Sequence, residues 1–208
     1  MSRVPYHNLG TQADPVNSYM MAWGVNVSGA PAGTLTATSF TAGVRWTELR
    51  RDADGTITIR DQGTQANASV DGATGVNYWM PHAAQDNQGN IAVGFSASGT
   101  TVNPGIRWAG RTGSSPAGTL NEGEATMFAG DGVQLATNSR WGDYSSMSVD
   151  PSDDCTFYYH QEYRSLANNG ISNGFGWNTR VGRFKYPTCT PPPSATITGT
   201  VTSCATGL

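Results

Sequence analysis

The chain has 208 residues, of which only 13% are charged, and it carries 26 glycines, six tryptophans and a net charge of −3. Twelve scattered basic residues form no basic block and give little support to phosphate-backbone binding, so no nucleic-acid partner is expected. The charge-poor, aromatic composition excludes a disordered chain, and no apolar run of the length a spanning helix needs is present.

In chain order, the start Met1-Ser2-Arg3-Val4-Pro5-Tyr6 has no apolar leader stretch. The expectation is either a signal peptide already removed or a natural start upstream. Helical periodicity is almost absent, and alternating runs bounded by Gly, Asn and Asp recur instead. A first block predicts strands over 19–27, 43–49 and 56–60. A middle block predicts strands over 81–85, 91–98, 105–111 and 124–129. Its tight turn is Asp86-Asn87-Gln88-Gly89-Asn90, and in 91–98 Val93 and Phe95 alternate with smaller residues. A last block predicts strands over 146–149, 155–163 and 178–184, with Asp150-Pro151-Ser152-Asp153-Asp154 as its turn.

The blocks echo one another. Gly43-Val44-Arg45-Trp46 and Gly105-Ile106-Arg107-Trp108 lie 62 residues apart, and Asp86 and Asp150 lie 64 apart. Repetition at this spacing predicts an all-β fold of antiparallel four-stranded blades, β-propeller-like and about three in number. A Greek-key sandwich is the structural competitor. Three blades close no ring and would leave two apolar blade faces open. The expectation is thus part of a larger propeller, completed by missing upstream blades or by a homo-oligomer.

Of three cysteines, Cys155 and Cys189 are expected to form a disulfide, with two buried free thiols as the alternative. The bond would stabilise by about 3.8 kcal/mol in the chain-entropy treatment, and it implies an oxidising, extracellular location. Cys204 is left over. Residues 190–194 read as a stiff Pro-rich linker after a first unit spanning 1–189, and 195–208 begins as an alternating strand.

Arg140-Trp141-Gly142-Asp143-Tyr144-Ser145-Ser146-Met147-Ser148-Val149-Asp150-Pro151, followed by Asp153-Asp154-Cys155-Thr156-Phe157, resembles the C-terminal blade of bacterial secreted sialidase-like (BNR-type) propellers. Residues 89–98 with Gly105-Ile106-Arg107 are similar to that group's preceding blade. Residues 195–208 resemble the opening of a carboxypeptidase-regulatory-like β-sandwich module, truncated within its first strands. The chain departs from true sialidases in lacking a Ser-x-Asp-x-Gly-x-Thr-Trp turn, and no local motif matches their arginine or nucleophile positions.

The resemblance implies a glycan-directed role, so carbohydrate or cell-surface glycan is the expected partner. In propellers the connections from strand two to three, and from strand four to the next strand one, share one face, which usually holds the site. If the chain is a glycoside hydrolase, two carboxyl groups must flank the scissile bond. Asp143 and Glu162 would supply them, with Tyr144 and Tyr163 as alternative nucleophile or proton donor. Trp79 or Trp141 would stack on a sugar ring, His82 would lie beside them, and Arg107 and Arg180 would take a carboxylate. The plainer reading makes Asp143 a turn cap, pairs Glu162 with an arginine such as Arg180, and buries the tryptophans. A noncatalytic carbohydrate- or protein-binding adhesion module is the alternative function. No cofactor is expected, apart from structural calcium on Asp150, Asp153 and Asp154; those aspartates would otherwise bond their own turn backbone.

Overall fold

The computed structural model describes residues 4–11, 13–29, 40–67, 75–134, 140–142, 144–168 and 176–193. Asp143, Cys204 and the 195–208 strand lie outside the described residues.

The described chain is all-β, apart from a single 3-10 turn at Leu166–Asn168. Sheet one contains β1 (Tyr6–Asn8), β2 (Asn17–Asn26), β3 (Ala42–Arg51) and β4 (Ile57–Gln65) in that order. Sheet two contains β5 (Val76–Gln85), β6 (Ile91–Gly99), β7 (Val102–Arg111) and β8 (Glu124–Phe128). Sheet three is a three-stranded sheet of β9 (Ser146–Val149), β10 (Thr156–Arg164) and β11 (Trp177–Lys185). Every pairing is antiparallel between neighbours in sequence, so each sheet is a simple meander.

The expected strands are present with shifted bounds, and one was missed. The 19–27 segment is the second strand of its sheet, because Tyr6–Asn8 pairs with it. Three residues are too few for a periodic signal, so β1 is defined only by its partner. Each first strand hands over to its second through an Asx side chain. Asn8 Oδ1 accepts from Gly10 N and Val16 N, Asp86 Oδ1 from Gln88 N and Asn90 N, and Asp150 Oδ1 from Ser152 N. A carboxylate or amide oxygen satisfies the turn's orphan N–H groups in all three cases.

Sheet two is the middle layer, and β6 explains why. Its large residues Ile91, Val93 and Phe95 face sheet one, packing with Met20, Val44, Trp46 and Tyr78. The opposite side of β6 carries Ala92, Gly94 and Ser96, all buried. That small-residue side accepts Phe157 and Tyr159 from β10. Each such fully buried large side chain contributes about 1.5–3 kcal/mol. A second cluster beyond β6 joins Ile106, Met147, Phe157, Tyr186 and the disulfide Cys155–Cys189, which has formed as expected.

The two outer faces differ. Tyr6, Tyr19, Leu49 and Ile59 stand in one cross-strand row on sheet one, flanked by Met21 and Trp23. Ile59 is 58% exposed and Trp23 42%. The corresponding row on sheet three, Ser148, Tyr158 and Arg183, is mostly polar. Only one of the two outer faces expected to be apolar is so among the described residues, since the strongly aromatic residues of β10 point inward.

Candidate functional site

The two tryptophans singled out in sequence come together. β5 carries a bulge: Trp79 pairs with Ser96 but His82 pairs with Gly94, so one residue of β5 has no opposite number. Met80 takes the left-handed conformation there, with φ of 49°. Its carbonyl is turned out of the ladder and accepts from Ser145 Oγ at 3.1 Å and Gln161 Nε2 at 3.0 Å. Bulges of this kind re-aim side chains. Trp79 here meets Trp141 edge to face, with centroids 5.6 Å apart and planes at 69°. Trp141 Nε1 donates to Ser96 Oγ at 3.0 Å, which fixes the second ring.

The pair lines a cleft of about 410 Å³ together with Ser98, Asn103, Val133 and Gln134. The cleft lies at the end of the sheets formed by the β6–β7 turn and the β8–β9 connection. Gln134 is held at both ends of its amide: Trp177 Nε1 donates to its Oε1 at 3.1 Å, and its Nε2 donates to Arg140 O at 2.6 Å. Asn103 has no side-chain partner among the described residues, which leaves an amide donor and acceptor facing the cleft. Arg164, fully buried, donates through Nε to Val133 O at 3.2 Å and through Nη2 to Asn168 O at 3.3 Å. It thereby anchors the Val133 wall. An aromatic corner with a few fixed amides suits a ligand having apolar C–H faces and hydroxyl groups.

Glu162 stands next to this corner. Its Oε2 accepts from Gly142 N at 2.8 Å, one residue beyond Trp141. Its carboxylate is thus bound to backbone, and the pairing with Arg180 is absent. Arg180 instead lies over the Phe128 ring, its Cζ 4.1 Å from the centroid. Tyr144 is 78% exposed. Tyr163 packs edge-on against Phe128 at 4.3 Å, between sheets two and three.

The remaining expected residues lie outside the cleft. Arg107 lines a neighbouring groove of about 240 Å³ that shares Val102 and Asn103 with it. Its Nη1 is 2.5 Å from Glu124 Oε1, and Glu124 Oε2 also accepts from Tyr78 OH at 2.6 Å. Burial and that carboxylate push the Tyr78 hydroxyl up to about 12. His82 is buried, between the first strands of the three sheets. It borders a cavity of about 310 Å³ shared with Tyr6, His7, Ser146 and Met147. Its Nδ1 has no hydrogen-bond partner among the described residues, and burial holds its imidazole below the ordinary 6.5, against a smaller opposing effect of the Ala83 backbone.

The Asp150–Asp154 turn bonds largely to itself. Asp153 Oδ1 accepts from Cys155 N and Thr156 N, and its Oδ2 accepts from Thr156 Oγ1 at 2.6 Å. The Thr156 hydroxyl and backbone bonds hold this carboxyl down at about 2. Asp154 Oδ2 is 3.3 Å from His7 Nε2. No group of metal-ligating side chains is assembled among the described residues.

Sequence reasoning missed a second polar cavity, at the other end of the sheets. It is lined by Glu48, Arg50, Arg60, Asp61 and Arg111. Five charged residues from three strands share no local motif, so only the packing of sheet one on sheet two assembles them. No family model, curated protein or solved structure matches the chain.

Proposed function

We propose that the chain is a secreted, glycan-directed module of the sialidase-like propeller kind, which binds carbohydrate in the Trp79–Trp141 cleft. The observation that carries this reading is the indole pair set at 69° beside a cleft lined by the Asn103 amide, which has no partner among the described residues, and by the fixed Gln134 amide. A pyranose ring would lay its C–H face on one indole and direct hydroxyls to Asn103, Ser98 and Gln134. The propeller assignment is supported by the common meander order of the sheets and by the cavity that β1, β5 and β9 line together. The secreted location is supported by the disulfide.

Binding without catalysis is the preferred form. Hydrolysis is a second reading, favoured by one observation: the Glu162 carboxylate is held at Gly142 N beside Trp141. The test is a glycan-array screen followed by titration calorimetry on the best oligosaccharide. Trp79→Ala and Trp141→Ala are each expected to weaken binding by at least about tenfold, the loss of one stacking face. Glu162→Gln is expected to retain binding and, under the second reading only, to abolish turnover. Unchanged affinity in both tryptophan variants would remove the cleft from consideration.

A further inference from the structure

The second polar cavity, of about 370 Å³, lies at the end of the sheets formed by the first-to-second and third-to-fourth strand turns. Gln85 borders it and Trp79 borders the glycan cleft, so the two are separated by roughly 20 Å along β5. It shares no lining residue with the cleft.

A second bulge builds this cavity. Glu48 pairs with Asp61 and Leu49 with Ile59, so Arg60 is the extra residue of β4. In a regular strand Arg60 and Asp61 would point to opposite faces. The bulge lets both line the same cavity. Asp61 is bound on every side: Arg111 Nη1 pairs with its Oδ2, and Gln62 N and Gly118 N each donate to its Oδ1 at 2.8 Å. Arg111 also donates through Nη2 to Ser115 O at 2.6 Å and through Nε to Thr112 O at 3.4 Å. Across the cavity Arg50 pairs with Glu48 through both Nε and Nη2 at 2.5 Å, and Ser18 Oγ lies 3.1 Å from the same carboxylate oxygen.

Two carboxylates thus neutralise two guanidiniums, and Arg60 is the third. It has no hydrogen-bond or ion-pair partner among the described residues, and it is exposed at the mouth. Glu48, Asp61 and Arg111 are buried, with 4%, 8% and 7% of their surface exposed. Buried ion pairs are weak stabilisers compared with apolar packing, so core stability alone does not call for this arrangement. The uncompensated charge is cationic: burial disfavours the protonated form of Arg111, Glu48 favours it, and Arg60, a smaller effect, disfavours it.

We infer that this cavity is a binding site for a tetrahedral oxyanion, a sulfate or phosphate ester, taken by Arg60 and by Nη1 of Arg50, which has no partner among the described residues, with Arg111 as a fixed positive charge. Arg50 and Arg60 come from adjacent strands and both line the cavity, so two guanidiniums are available to one anion. Such an arrangement suits a tetrahedral group, whereas a planar carboxylate is satisfied by one guanidinium edge.

The test measures Tm of the whole chain against increasing sodium sulfate, sodium phosphate and sodium glucuronate, each compared with chloride at equal ionic strength. A saturable rise with sulfate or phosphate is expected, and whichever is the stronger identifies the ester. Arg60→Ala is expected to weaken that anion by at least about tenfold. Arg60 is exposed and makes no hydrogen bond or ion pair among the described residues, so the variant should fold. Arg107→Ala and Trp79→Ala, at the far end, should leave anion binding unchanged. The inference is overturned if neither tetrahedral anion raises Tm above chloride, if glucuronate alone does so, or if Arg60→Ala binds as the parent does.

Discussion

Gly94 shows how a single missing side chain locks two sheets together. A Cβ there would stand 2.5 Å from the Tyr159 ring. That ring is fully buried, and its hydroxyl accepts from Gln161 Nε2 at 3.1 Å, so it has nowhere to retreat. Gly94→Ala is therefore expected to cost about 1–3 kcal/mol, read as a fall in Tm of about 2–4 °C for each kcal/mol. His82 makes a prediction about pH. Its folded pKa lies below that of the unfolded imidazole, because burial disfavours the cation. Above 6.5 both states are neutral there and stability does not change. As pH falls below 6.5 the unfolded state takes up the proton first, so stability drops until the folded pKa is reached. Urea midpoints at about pH 7.5 and about pH 5.5 should differ in the parent, and the difference should shrink in His82→Gln.

At the scale of strands, the periods and turns were legible and the bulges were not. The alternation of Val93 and Phe95 with small residues marks β6 in sequence, and the structure adds that the small side accepts another sheet. Gly43-Val44-Arg45-Trp46 and Gly105-Ile106-Arg107-Trp108 do fall on the third strand of their sheets. Asp86 and Asp150 do cap matching turns. The extra residues at Met80 and Arg60 carry no such mark, because a bulge is a property of a pair of strands and not of one. Both cavities depend on them. That is why the sequence pointed to Trp79 and Trp141 but also to Arg107, Arg180 and His82, which lie elsewhere, and not to Arg60.

For the molecule as a whole, the disulfide fixes the start of β10 to the segment after β11, where both cysteines are buried in the core between sheets two and three. Reduction is expected to cost about 3.8 kcal/mol in the chain-entropy treatment. The denaturant midpoint with and without reductant measures it. The two polar cavities lie at opposite ends of the same sheets, so ligands for each should bind independently of the other. The central claim is the glycan cleft, and the indole N–H resonances of the six tryptophans test it most directly. Titration with the oligosaccharide selected on the array should shift the Trp79 and Trp141 signals and leave those of the core residue Trp46 and of Trp108, stacked on Phe184, in place. Saturable binding with Trp79 and Trp141 unmoved would contradict the account.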